Sequence, residues 1–307
     1  MISFIEGAIV HQPLPAAGNR AAAQFAAGRN RSILPGIMSI YTDQAYLCSE
    51  QYRDDSNLCA RITLHRRFCV NPYPWFRWVF DQLTAIPPRA RVLEVGCGPA
   101  WLWQENAERI PAGWQILLSD LSPGMAARAR ANLSAGGRAI HFCQIDAQAL
   151  PLASGDCDLL IANHMLYHVP DRARALAEMR RVLKPDGVLI AALSGDGHMA
   201  ELDELLYRCV PHLGHPRNER ELSGITLETA AAEFAPWFGE TTVHFYTPND
   251  LVVTEIEPIM AYIRSMHATS RASAADLARL HDQIAAIIAS RGAMHITRVS
   301  GLVIARI

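Results

Sequence analysis

A strand that runs directly into a glycine turn constrains this chain more than any other feature. Residues Arg91-Val92-Leu93-Glu94-Val95-Gly96-Cys97-Gly98-Pro99-Ala100 join an apolar β-run to a tight bend. Glycine enters backbone conformations with positive φ and lets the main chain approach a ligand closely. Glu94 stands two residues before the first glycine. A second acid, Asp120, follows about 20 residues on, the spacing at which a doubly wound sheet brings a carboxylate to a ribose. A dinucleotide site would carry another small residue three positions after Gly98, where helix packs on strand and pyrophosphate meets the helix N-terminus. Here that position is Trp101, and the helix start Pro99-Ala100-Trp101-Leu102-Trp103 is apolar. A nucleoside cofactor without phosphate fits this start; a nicotinamide-dependent oxidoreductase stays open as a rival that Trp101 disfavours.

From residue 91 onward, strand and helix alternate, which implies a parallel sheet. The apolar runs predict strands at Val92–Val95, Gln115–Ser119, Ala139–Gln144, Cys157–Ala162 and Gly187–Leu193. A helix over Asp171–Leu183 carries Arg180 and Arg181 at its C-terminal end, as the macrodipole favours, and stops at Pro185-Asp186-Gly187. Beyond residue 200 the tempo changes. Helices are expected over Glu201–Cys209, Thr226–Phe238, Glu255–Met266 and Ala274–Ser290, with strands at Thr242–Tyr246 and His295–Ile307, the last interrupted at Gly301. Residues 1–37 hold small-residue patches without an apolar period and are expected to form a weakly ordered arm. The organisation expected is an arm over 1–37, a helical cap over 38–89, an α/β core over 90–247, a helical lid over 248–294 and a final core strand over 295–307.

Five motifs in this order resemble the class I S-adenosylmethionine (SAM)-dependent methyltransferases, most of all the subgroup that acts on small molecules such as quinones. Glu94-x-Gly96-x-Gly98 is similar to the family's first motif, and Ser119-Asp120-Leu121-Ser122-Pro123-Gly124-Met125 to its second. Gln144 to Pro151 resembles the third, Asp158 to Val169 the fourth, and Arg180 to Gly187 the turn before strand five. The resemblance covers roughly residues 90–195. It departs from the family at Ala100, where a third glycine is usual, and at Cys157, where phenylalanine is usual.

The resemblance implies a Rossmann-like α/β fold. This is a doubly wound, mostly parallel, seven-stranded sheet with N-terminal helices and a helical insertion between its last two strands. It implies SAM as cofactor. Gly96, Cys97 and Gly98 would pass beside its methionine portion, with Glu94 orienting the loop. Asp120 would accept from both ribose hydroxyls, since a carboxylate offers two oxygens to a diol. Leu121 would pack on adenine, Asp146 and the Ala147 amide would read its edge, and Asn163 would line the sulfonium region.

Composition narrows the partners. Half the residues are hydrophobic, and 28 basic side chains face 30 acidic ones for a net charge of −2. That balance gives no basic surface for nucleic acid. The run Asn163-His164-Met165-Leu166 also differs from the Asn-Pro-Pro-aromatic run of the adenine methylases. No apolar run reaches the length of a membrane span, and the first residues lack the pattern of a secretory signal. Seven cysteines, Cys48, Cys59, Cys69, Cys97, Cys143, Cys157 and Cys209, are scattered without a CxxC pair. They suit reduced thiols in a cytoplasmic protein and not a zinc site. Asn163 and Asp196 make a poor magnesium pair, so no metal is expected.

Methyl transfer from a sulfonium chiefly needs alignment and exclusion of water. His164, Tyr167 and His168 fall where the transferable methyl points, and either histidine is a candidate base. Candidates for an apolar acceptor pocket are Trp75, Trp78, Trp101, Trp103, Tyr167, Trp237, Phe238 and Met266. Tyr52, Arg61 and His65 are candidates to reach the cofactor carboxylate or the acceptor. The expected activity is methylation of a small apolar or aromatic metabolite by a protein that could pair as a homodimer. The rival reading is a SAM-binding regulatory module that does not transfer.

Overall fold

The computed structural model describes residues 40–83, 85–133, 140–213 and 224–307. The arm expected over residues 1–37 lies outside them. Seven strands form one sheet in the order β3-β2-β1-β4-β5-β9-β6. They are β1 (Arg91–Val95), β2 (Gln115–Asp120), β3 (Ile140–Gln144), β4 (Cys157–Asn163), β5 (Leu183–Ser194), β6 (Glu240–Phe245) and β9 (Ser300–Arg306). The first five run parallel, and β9 lies antiparallel between β5 and β6. Both faces are covered, so the central strands read as unbroken apolar runs. Leu159, Leu160, Ile161 and Ala162 of β4 are all fully buried.

Two cores sandwich the sheet. One holds Leu176, Met179, Ala230 and Phe234, from helices α5 (Arg172–Val182) and α7 (Leu227–Phe234). The other holds Trp75, Phe80, Leu102, Trp103 and Ala129. These come from α2 (Trp75–Asp81), α3 (Trp101–Glu105) and α4 (Pro123–Leu133). The chain leaves β1 toward one side of the sheet and returns at β4 on the other. The crevice at this switch point, at the carboxyl ends of the strands, is where open α/β sheets bind ligands.

A third core builds a roof. Leu64 of α1 (Ser56–Phe68) packs with residues of α6 (Ala200–Cys209), α8 (Ile256–Arg264) and α9 (Ala274–Arg291). Helix α9 begins on a capping box, in which Ser273 accepts from the Asp276 amide and Asp276 accepts from the Ser273 amide, and ends on left-handed Gly292.

The insertion differs from the purely helical one expected. It also contains β7 (Leu251–Val253), paired antiparallel with β8 (Met294–Ile296) in a separate two-stranded sheet. The single final strand expected over 295–307 is therefore two strands. The break falls at Thr297-Arg298-Val299 and not at Gly301, which sits in full register opposite Leu193 and Phe245. A side chain at Gly301 would meet the His244 carbonyl oxygen at 2.3 Å, so glycine there serves strand packing. Among the described residues no helix is long and apolar enough to cross a membrane.

Candidate functional site

A cavity of about 790 Å³ opens at the carboxyl ends of β1, β2 and β4, beneath the roof. Its floor is the glycine turn. Gly96, Gly98 and Ala100 all have positive φ, at 67°, 52° and 62°. A Cβ at Gly96 would lie 2.7 Å from the Met165 Cβ, whereas one at Gly98 would meet only Leu58 Cδ1, at 3.7 Å. Gly96 thus serves close packing, and Gly98 keeps a face of the cavity open. Cys97 lies in the turn, and its amide donates to the Ser119 carbonyl (2.9 Å). Burial raises its thiol well above the usual range, so it stays protonated.

Asp120 ends β2 at the cavity wall. Its Oδ2 accepts from the Gly98 amide (2.9 Å) and its Oδ1 from the Ser122 amide (2.8 Å). Each oxygen has a second lone pair, so the carboxylate retains one acceptor position on each. Burial raises its pKa to about 6 against the pull of those amides. Glu94 is buried more deeply, 2% exposed, and holds the Trp103 indole N–H and the Asn163 amide (3.0 Å). Burial pushes it to about 7. Asn163 is thereby fixed through its nitrogen, while its Oδ1 is buried without a partner in the cavity wall.

Leu121, Ile145, Asp146 and Ala147 form the adjoining wall. The segment Gln44–Gln51, one helical turn that widens into a π-turn, straps across them. Gln44 donates to Asp146 Oδ2 (3.0 Å), and Gln148 donates to the same carboxylate through its backbone and side chain. Ser122 Oγ donates to the Tyr52 carbonyl (2.7 Å), closing the strap onto β2.

The three candidates for proton transfer differ in their surroundings. His168 has both nitrogens engaged. Its Nδ1 lies 2.7 Å from the Tyr41 carbonyl, which can only accept, so Nδ1 carries the proton. Its Nε2 then accepts from the Tyr52 hydroxyl (2.8 Å). This ring holds the strap in place and has no free lone pair for a base. Burial keeps the Tyr167 phenol protonated by raising its pKa far above the ordinary value. His164 adopts φ 51°, and its ring lies 5.5 Å from Trp75. Burial and the Arg298 charge lower it to about 4, so it is neutral and weakly basic.

Of the aromatic lining expected, Trp75, Trp101, Tyr167 and Met266 reach the cavity. Trp78, Trp103, Trp237 and Phe238 pack in or against the two sheet cores instead. Tyr52, Arg61 and His65 all reach the wall. Arg61 gives its Nε and Nη2 to Ser265 (3.1 and 2.7 Å). Arg298 also lines the cavity, and nothing in the sequence marked it. Among the described residues no group of three or more His, Cys, Asp or Glu side chains could hold a metal ion.

An open α/β sheet with a glycine turn at its switch point, and a carboxylate at the next strand tip, defines a protein that binds a nucleoside cofactor. Residues 93–191 match a family described as a methyltransferase domain. A malonyl-[acyl-carrier protein] O-methyltransferase of Geobacter sulfurreducens is 33% identical over 196 residues, which is 62% of this chain and 69% of that protein. A demethylmenaquinone methyltransferase of Renibacterium salmoninarum is 36% identical over 121 residues, 38% of this chain and 46% of that protein. Among solved structures, phosphoethanolamine N-methyltransferase 2 of Haemonchus contortus, in complex with SAM, superposes with a TM-score of 0.55 at 18% identity. That match covers 88% of this chain and 60% of that one, and it shows the shared fold. The chain belongs to the class I SAM-dependent methyltransferases, and SAM is its cofactor.

Proposed function

We propose that this chain methylates a small, largely apolar or aromatic acceptor seated between the glycine turn and the roof, with Asp120 gripping the cofactor ribose. The observation that carries this reading is the Asp120 carboxylate, which keeps one acceptor position on each oxygen for the two hydroxyls of a diol. The unpartnered Asn163 Oδ1 offers a further acceptor, suited to the methionine ammonium. Open space above Gly98 admits the methionine chain, and Arg61, one helical turn from Leu58, supplies a cation for its carboxylate. Leu121, Asp146 and Ala147 would enclose the adenine, for which Gln44 must share Asp146.

When bound, SAM supplies a methyl group on a sulfonium, ready for in-line displacement. The residues of the chain align the partners and exclude water. Trp75, Trp101 and Tyr167 give the acceptor side its apolar wall. None of the three candidates expected to move a proton is a strong base: Tyr167 holds its proton, His168 is bonded on both nitrogens, and His164 is depressed to about 4. The acceptor atom therefore arrives with its lone pair free, or passes a proton to His164 only late in the transfer. The names of the two curated relatives span a carrier-bound acyl group and a quinone, so neither fixes the acceptor of this chain.

The test is a mass-spectrometric comparison of a metabolite extract incubated with protein and methyl-labelled SAM. A product heavier by one labelled CH2 unit supports the reading. Cofactor binding without any labelled product, across extracts and purified apolar acceptors, favours a non-transferring module.

A further inference from the structure

We infer that Arg298 and His65 form an anion subsite on the acceptor side of the cavity, and that the acceptor carries a carboxylate at the end remote from its apolar body. This rests on the reading above and adds the substrate class. Arg298 lies in the break between β8 and β9 and is only 7% exposed. Its guanidinium is held over the rings of Trp75 (5.8 Å) and Tyr246 (6.0 Å). Its Nε is buried with no hydrogen-bond partner. Asp250 accepts from the Arg298 backbone amide (3.3 Å), and the side chains acting on the guanidinium are the Cys69 thiol and the Tyr246 and Tyr262 phenols, not a carboxylate.

A buried cation without a counter-charge is costly, and the cost is relieved when an anion binds. His65 adds a second unsatisfied group, because its Nδ1 is buried without a partner in the same wall. Its ring packs against Tyr262 at 5.8 Å and His198 at 6.3 Å. Both side chains line the same cavity, and the Arg298 charge adds to the burial that lowers the His65 pKa. Arg61 differs, since Ser265 already occupies two of its donors. Asp203 also reaches the wall and has an interaction of its own.

The geometry selects among anions. A guanidinium presents a planar fork that matches a carboxylate. The aromatic rings around it favour a weakly hydrated monoanion over a dianionic phosphate, whose desolvation costs far more. The His65 imidazole, as the Nδ1–H tautomer, supplies a further donor in the same cavity wall.

The test compares 3-phenylpropionate with its neutral isostere 3-phenylpropionamide, by calorimetric titration into protein loaded with S-adenosylhomocysteine. The acid is expected to bind at least about tenfold more tightly than the amide. Arg298→Met should erase that preference while S-adenosylhomocysteine affinity stays within about twofold, and Arg298→Lys should retain part of it. Equal binding of acid and amide to the wild-type protein, no binding of either at millimolar concentration, or a preference that survives Arg298→Met would overturn the proposal. Should S-adenosylhomocysteine itself fail to bind, the cofactor reading falls, and the acid–amide comparison on unloaded protein still decides the subsite.

Discussion

Burial sets the charge state of single residues around this cavity, and pH reads it out. Asp120 is lifted to about 6 by desolvation, so it is mostly ionised at neutral pH and gains a proton below that value. Protonation removes part of its acceptor capacity. S-adenosylhomocysteine affinity should therefore fall as pH drops through about 6, and a calorimetric pH series will show it. His168 makes stability, too, fall as pH drops. Its folded pKa is lowered to about 4 from an ordinary 6.5, so the unfolded chain binds the proton first as pH falls. The stability it confers is complete above about 6.5 and is lost between there and about 4, by up to ~3 kcal/mol. His168→Asn should flatten the pH dependence of the urea midpoint in that window by as much as one proton. An unchanged slope would show that the ring is already accessible to protons in the folded protein.

At the scale of elements, the two glycines of the first turn have separate tasks. Gly96→Ala places a Cβ 2.7 Å from that of Met165 at a positive φ, and should cost about 2–4 kcal/mol in denaturant unfolding. Gly98→Ala meets only Leu58 at 3.7 Å, so its stability cost should stay near ~1 kcal/mol while its methyl group intrudes on the ligand and weakens S-adenosylhomocysteine binding. Equal effects of the two changes on stability would contradict this division. The five parallel strands were legible because a sheet covered on both faces needs unbroken apolar runs such as Leu159–Ala162. Gly96, Gly98, Asp120, Asp146 and Asn163 were legible as one group because their offsets from those strand ends are fixed by the fold, and all five line one cavity. The break at Thr297-Arg298-Val299 was hidden, because the β-branched residues Ile296, Thr297 and Val299 carry strand-like composition through it and no proline or glycine marks it. Its partner β7, only three residues long, is too short to leave a pattern. Arg298 was missed for the same reason: a cation in a loop resembles a solvated charge until Trp75 and Tyr246, far away in sequence, are folded around it.

For the molecule as a whole, the helix α1 and the late insertion pack as a single roof over the cavity. Leu64 and Ile263 are fully buried in one cluster with Leu280 and Ile284, and Arg61 ties α1 to Ser265 just past α8. Leu64→Ala should cost about 2–4 kcal/mol, and hydrogen exchange should show α1 and α8 losing protection together. Protection lost in α1 alone would mean that the roof is two independent pieces. The proposed grip on the cofactor rests on Asp120 in the cavity wall, and that residue supplies the most direct test of the account. Calorimetric titration with S-adenosylhomocysteine should give an affinity about 10–100-fold lower for Asp120→Asn than for the wild-type protein at neutral pH, with the thermal midpoint nearly unchanged. Equal affinity in the two proteins would contradict the assignment of this carboxylate to the ribose, and with it the placement of the cofactor in this cavity.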